Sequence, residues 1–140
     1  MRFLILAALC LGMVGTARCE ETVTFKCAVK DYEWNSPYDK KDKEVEELSR
    51  NKIFEITDAG DRLRVRSTTK NGYTSGVDFF IIGRNSSYIL ATRNAMNIGV
   101  GTIVLGLGVQ PNPETGNIVA TLTDQTFKAV FVFHLLCDQN

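Results

Sequence analysis

Few residues in this chain could do covalent chemistry. His134 is the single histidine, and it lies between apolar neighbours near the C-terminus. A serine or cysteine nucleophile needs such a base beside it, and one histidine with two cysteines that we expect to be paired with each other cannot form a zinc site of the usual kind. Asp58 and Asp61 flank Gly60, but two acids do not complete a calcium loop and are typical of a turn. We therefore expect no enzymatic activity, no metal and no cofactor.

The first 19 residues have the character of a secretory signal. Arg2 precedes an apolar stretch that is too short to cross a bilayer. Cleavage after Ala17 best fits the preference for small residues, and cleavage after Cys19 also fits. Because the second choice leaves an even number of cysteines, we predict that residues 1–19 are a cleaved signal and that residues 20–140 are a single exported β-domain. No later stretch reaches the roughly 18 apolar residues of a transmembrane helix.

The two cysteines that remain, Cys27 and Cys137, lie near the two ends of the exported chain. Each falls in an alternating apolar and polar run, on the side occupied by the apolar residues. Disulfides persist in the oxidising periplasm or extracellular space. We predict a buried disulfide that joins the first and last strands, and a periplasmic or secreted location.

Charge and size limit the classes of partner. Removing Arg2 and Arg18 with the signal leaves 14 basic residues against 16 acidic ones, a balance that does not attract nucleic acid. The remaining chain has the length of one domain and is large enough for a core. We expect an unknown protein or a small ligand as the partner, no nucleic acid, and no transmembrane segment in the mature chain.

Short strand-like runs follow one another at spacings near ten residues, separated by turn residues. Asn71-Gly72 is the strongest hairpin signal among these turns. About eight strands of this kind are typical of an all-β protein with an antiparallel barrel or sandwich. The barrel is favoured, because pairing of the first and last strands would close the sheet and bring the cysteines together. The candidate strands are Thr22–Val29, Ile53–Thr57, Arg62–Arg66, Val77–Ile82, Tyr88–Thr92, Ile98–Val109, Ile118–Thr123 and Phe127–Cys137.

Residues 30–51 depart from this pattern, and we predict one long polar loop or a short helix there. Its aromatic side chains, Tyr32, Trp34 and Tyr38, are candidate binding residues, because exposed aromatic residues are common anchors in binding sites. The alternative is a surface loop that caps the end of the sheet and carries no function.

Arg62, Arg64 and Arg66 alternate with apolar residues and form one outward ridge if the strand is regular. This ridge is a candidate basic patch for an anion or an acidic partner, and the alternative is a solvated charged face. Asn85 begins an Asn-Ser-Ser glycosylation pattern at a predicted turn, and whether it is glycosylated depends on the host.

The succession of short strands after an export segment resembles small exported bacterial β-barrel proteins, including periplasmic inhibitors of lysozyme, without their diagnostic motif. The resemblance implies a class and no more. We hypothesise a non-enzymatic exported binding or interaction protein. One alternative is a carrier of small hydrophobic ligands with an apolar barrel interior, motivated by the apolar runs 79–82 and 98–109. Another is a periplasmic enzyme inhibitor.

Overall fold

Each strand pairs antiparallel with its neighbours in sequence, and the last strand pairs with the first. The computed structural model describes residues 22–37, 40, 42–94, 102–126 and 129–139. These residues form a closed eight-stranded barrel with one short helix, which confirms the predicted all-β architecture and selects the barrel over the sandwich. Its elements are β1 (Val23–Asn35), α1 (Lys43–Arg50), β2 (Ile53–Asp58), β3 (Arg62–Thr68), β4 (Thr74–Arg84), β5 (Tyr88–Asn94), β6 (Thr102–Gly108), β7 (Ile118–Gln125) and β8 (Val130–Gln139).

The core is the interior of the barrel. Alternate residues of every strand point inward, because successive side chains of a strand lie on opposite faces. An eight-stranded barrel has an interior of about the size that side chains alone can fill. Here large residues from all eight strands are buried inside, including Phe25, Phe54, Leu63, Phe79, Ile89, Leu105, Ile118 and Phe133.

The predicted disulfide is present and lies at the closure of the barrel. Cys27 of β1 is directly opposite Cys137 of β8, and the S–S distance is 2.02 Å. Both cysteines are almost fully buried among the core side chains. The expectation that both point to the core is therefore confirmed, and the bridge ties together the two strands that close the sheet.

The first strand is longer than its alternating pattern predicted. We expected an end at Val29, but β1 continues to Asn35, paired with β8 throughout. A bulge lies between Val29 and Asp31, where the register against β8 shifts by one residue. A bulge of this kind inserts one extra residue and so reverses which positions face inward. Tyr32 consequently points inward, although it is out of phase with Val29.

Helix α1 contacts β1 at this bulge. Its N-cap, Asp42, accepts a hydrogen bond from the Glu44 amide at 2.9 Å. At the other end of the helix, the Arg50 guanidinium lies 2.9 Å from the Asp31 carboxylate and donates to the Tyr32 carbonyl at 3.2 Å. The predicted short helix is therefore confirmed, and it packs against the second half of β1.

The two ends of the barrel differ in their loops. One end carries the β2–β3, β4–β5 and β6–β7 turns, and it is crossed by a bidentate ion pair between Arg84 and Asp58 at 2.7 Å. This pairing lowers the pKa of the Asp58 carboxyl, although desolvation opposes the shift. The opposite end, which we call the mouth, carries helix α1 and the β3–β4 turn, and it is the end at which β5 and β7 finish and β6 and β8 begin.

The ion pair predicts an acid-sensitive contribution to stability. Replacing Arg84 by methionine should lower the free energy of unfolding at pH 7 by about 1–3 kcal/mol, because hydrogen bonds to a charged group are lost. Since the folded pKa of Asp58 lies below its unfolded value, the contribution is complete above about pH 4 and is lost as the pH falls through the folded pKa.

Urea denaturation of both proteins between pH 7 and pH 2 tests this expectation. The Arg84→Met variant should lose less stability on acidification than the natural protein. The control is Arg66→Met, which removes an arginine with no ion pair in the described ranges and should change stability by less than about 0.5 kcal/mol. Equal losses for the two variants would contradict a stabilising role for the Arg84–Asp58 pair.

Candidate ligand site at the barrel mouth

Among the described residues, we group six side chains that point into the barrel at the mouth and call them the mouth ring. The register sets Trp34 opposite Phe131, Phe131 opposite Asp124, Asp124 opposite Ile103 and Ile103 opposite Arg93. Residues directly opposite each other on paired strands share one face of the sheet, so the five form one row. The sixth member, Lys52, precedes β2 and is in phase with Phe54, which faces inward. The mouth ring consists of Trp34, Lys52, Arg93, Ile103, Asp124 and Phe131, all of which are half-buried.

The row below the mouth ring closes the barrel beneath it. It is apolar apart from one tyrosine, and every member is buried: Tyr32, Ala91, Leu105, Leu122 and Phe133. The rings of Tyr32 and Phe133 pack at a centroid distance of 4.9 Å. The layer directly beneath the mouth ring is therefore apolar and buried.

Trp34 presents both an apolar surface and an unused hydrogen-bond donor. Its indole stacks on the Phe131 ring at 6.0 Å between centroids, with the two planes 17° apart. The indole Nε1 is buried, yet it has no hydrogen-bond partner within the described part of the chain. Most buried polar side-chain atoms are paired, because an unpaired buried donor costs about 1–3 kcal/mol. The Trp34 indole is therefore a donor that still requires a partner from outside the described residues, such as a ligand or a water molecule.

The mouth ring also contains three charged side chains. Among the described residues, no ion pair or hydrogen bond involves the side chains of Lys52, Arg93 or Asp124. The Lys52 ammonium lies 5.4 Å from the centroid of the Phe133 ring, within cation–π range. Burial raises the pKa of the Asp124 carboxyl, although the positive charges of Arg93 and Lys52 act to lower it. Burial lowers the pKa of the Lys52 ammonium. Both shifts reflect charges drawn partly out of water.

The aromatic binding residues predicted from the sequence are distributed differently from our expectation. Tyr32 and Trp34 belong to β1 rather than to an exposed loop. Tyr32 is only 2% exposed, so the prediction that it is an exposed anchor is wrong, because the bulge turns it into the core. Trp34 is half-buried in the mouth ring. Tyr38 lies outside the described residues, as do the predicted signal and its alternative cleavage sites.

The predicted arginine ridge does project outward from β3, but acidic residues interrupt it. Arg62 lies 2.8 Å from Asp61 and 3.5 Å from Asp78, and Arg64 lies 4.0 Å from Asp78. Arg66 has no ion pair in the described ranges. The ridge is therefore a face of mixed charge rather than a continuous basic patch.

The single histidine lies on the outside of the barrel. His134 of β8 is 3.2 Å from the Glu33 carboxylate of β1. The structure contains no group of three or more histidine, cysteine or acidic side chains that could hold a metal within the residues it describes. Over the same residues, no helix combines the length and the apolar character needed to cross a membrane.

Asn85 is exposed at the β4–β5 turn. Its side-chain oxygen accepts hydrogen bonds from the amides of Ser87 and Tyr88, at 2.7 and 2.9 Å. The glycosylation pattern therefore lies in an ordered, accessible turn, as its position in the sequence predicted.

Known proteins supply no further information about the mouth ring. The chain matches no family model, no curated protein and no solved structure. A function for the mouth ring must therefore be inferred from its own geometry and charges.

The sequence contains a signal for two of the three charged members of the mouth ring, although none of the three was among the predicted binding residues. Asp124 is in phase with the buried run at 118, 120 and 122, and Arg93 is in phase with Ile89 and Ala91. A charge that continues a buried alternation at the end of a strand indicates the open end of a barrel, where an inward side chain can still reach water.

Proposed function

We propose that this protein is a non-enzymatic exported binding protein, and that its ligand is a small amphiphilic molecule with an anionic headgroup held in the mouth ring. The observation that carries the proposal is the unpaired, buried Nε1 of Trp34 in a ring whose charged side chains form no ion pair or hydrogen bond within the described residues. Unpaired polar groups of this kind are costly in a folded protein unless a ligand completes them.

The charges of the mouth ring favour an anion. Lys52 and Arg93 contribute two positive charges and Asp124 contributes one negative charge, so the ring carries a net positive charge. A carboxylate could accept hydrogen bonds from the Lys52 ammonium and from the Trp34 indole. Such charge-assisted hydrogen bonds are the stronger ones.

The aromatic members favour an apolar body attached to that headgroup. The stacked rings of Trp34 and Phe131 offer a flat apolar surface, and the buried row beneath is apolar. Small-molecule sites commonly combine apolar walls with a few polar groups that orient the ligand.

A ligand site at the mouth is better supported than a carrier site inside the barrel. Below the mouth ring, the inward positions are filled by buried side chains from every strand, and an interior of this diameter is readily filled in that way. The alternative of an enzyme inhibitor stays a hypothesis that no contact among the described residues favours.

Fluorescence of Trp34 tests the proposal directly, because it is the single tryptophan of the chain. The disulfide-bonded protein is titrated with octanoate and, separately, with octylammonium at pH 7. We expect octanoate to change the emission saturably, with at least about tenfold tighter binding than octylammonium, as expected for one charge-assisted contact. The absence of a saturable change with octanoate, or equal responses to the two probes, would overturn the proposal.

Variants identify the groups involved. Lys52→Met should weaken octanoate binding about tenfold, because it removes the ammonium and keeps most of the apolar stem. Lys26→Met is the matched control, since Lys26 is exposed on the outer face of β1 and should not affect binding. Trp34→Phe, followed by calorimetry, keeps an aromatic ring but removes the donor, and should weaken octanoate binding several-fold.

A further inference from the structure

A second feature, independent of the mouth, is a ladder of alternating charges on the outer face of the barrel. Five positions lie side by side across β8, β1, β2, β3 and β4 in the register. Opposite charges at neighbouring cross-strand positions attract each other. The positions are, in order, Asp138, Lys26, Glu55, Arg66 and Gly76. The alternation predicts an acid at the last position, and the chain has a glycine there.

The glycine leaves a groove at the end of this ladder. A Cβ built on Gly76 would have no heavy atom within 4 Å, so the space above the backbone is open. The groove has a volume of about 270 Å³, and its floor and walls include Val65 and Val77. This volume lies just below the usual range of ligand pockets, about 300–1,000 Å³, so the groove suits only a small molecule.

The charged side chains around the groove balance each other in number but are not all paired. Arg64 and Arg66 line it together with Glu55 and Asp78. Arg66 and Glu55 are directly opposite each other, yet within the described ranges neither forms an ion pair at 4.0 Å or less. Asp78 is shared between Arg64, at 4.0 Å, and Arg62 outside the groove, at 3.5 Å. Glu55 and Arg66 are therefore the charged residues that retain full hydrogen-bonding capacity toward the groove.

We propose that this groove is a binding site for a small zwitterion whose carboxylate and ammonium groups are one carbon apart, as in a free α-amino acid. The carboxylate pairs with the Arg66 guanidinium, whose planar fork suits bidentate binding. The ammonium group pairs with the Glu55 carboxylate. A groove that offers one arginine and one carboxylate without ion pairs in the described ranges favours a neutral dipolar ligand over a simple anion or cation, because either ion alone would leave one of the two unmatched.

Amide chemical shifts of the ¹⁵N-labelled, disulfide-bonded protein test the proposal. We expect L-alanine to shift the amides of Arg66, Gly76 and Val77 saturably. Acetate and methylammonium, which each present only one half of the zwitterion, should bind at least about tenfold more weakly. Acetate or methylammonium binding as tightly as L-alanine, or shifts that do not saturate, would overturn the proposal and leave the ladder as a solvated charged face.

Two variants and a matched control complete the experiment. Gly76→Asp supplies the missing acid of the ladder and occupies the groove, so it should abolish L-alanine binding. Gly106→Asp makes the same change at another outward strand glycine with open space above it, and binding should persist. Arg66→Gln should also abolish binding, and it serves as the test if Gly76→Asp does not give a dispersed amide spectrum. Binding that survives in a folded Gly76→Asp or Arg66→Gln variant would refute the assignment.

Discussion

The protein in which both Cys27 and Cys137 are replaced by alanine should be less stable than the natural protein by about 4–5 kcal/mol. The bridge closes a loop with a sequence separation of 110 residues, and the chain-entropy model assigns a stabilisation of this size to so long a loop. A typical domain has a stability of only about 5–15 kcal/mol, so the variant should lose much of its resistance to urea.

Equilibrium urea denaturation of the oxidised protein, the reduced protein and the double variant measures this effect. The double variant also removes two buried sulfur atoms, so the reduced natural protein is the control that separates the loss of the bond from the loss of packing. We expect the reduced protein to show most of the destabilisation. A reduced protein as stable as the oxidised one would contradict the role of the bridge in holding β1 against β8.

Replacing Phe79 by alanine should lower the free energy of unfolding by about 3–5 kcal/mol, the usual range for a buried phenylalanine. Its side chain is 1% exposed inside the barrel, whereas that of Phe80 is 61% exposed on the outside. The register of β4 explains the difference, since Phe79 is opposite buried Leu63 and Phe80 is opposite Arg62. Phe80→Ala is therefore the matched control, with an expected change of less than about 0.5 kcal/mol.

Chemical denaturation of the two variants, with comparison of their midpoints and slopes, distinguishes the two positions. The test is sharp because the residues are adjacent and chemically identical, so only the face of the strand differs. A slip of β4 by one residue would exchange the two faces. A larger loss for Phe80→Ala than for Phe79→Ala would consequently show that this register of β4 is wrong.

Much of the fold could be predicted because the relevant information is local. The alternation of Val23, Phe25 and Cys27 identifies a half-buried strand without knowledge of its partner. The same reasoning applies to Phe131, Phe133, Leu135 and Cys137 in the last strand, and both predictions are confirmed. Period-two alternation follows from backbone geometry alone.

The candidate sites were less predictable because they depend on pairing between distant strands. Asp124, Ile103 and Arg93 meet in one row only through the register of β5, β6 and β7. The groove above Gly76 likewise exists because β4 sets that glycine beside Arg66. Register depends on non-local hydrogen bonds and on closure of the barrel, which a single sequence does not specify.

By itself, then, the sequence determined the approximate positions of the strands, the inward faces of the first strand up to Val29 and of the last strand, and the pairing of Cys27 with Cys137, because the face of each side chain is a local property of an extended backbone. Only the tertiary structure decided that Trp34 faces the barrel interior. The alternation up to Val29 would have continued through Asp31 and Glu33, but the bulge against β8 adds one residue and reverses the order. That reversal turns an apparent surface tryptophan into a member of the mouth ring, because a bulge is defined by two strands together and not by either one alone.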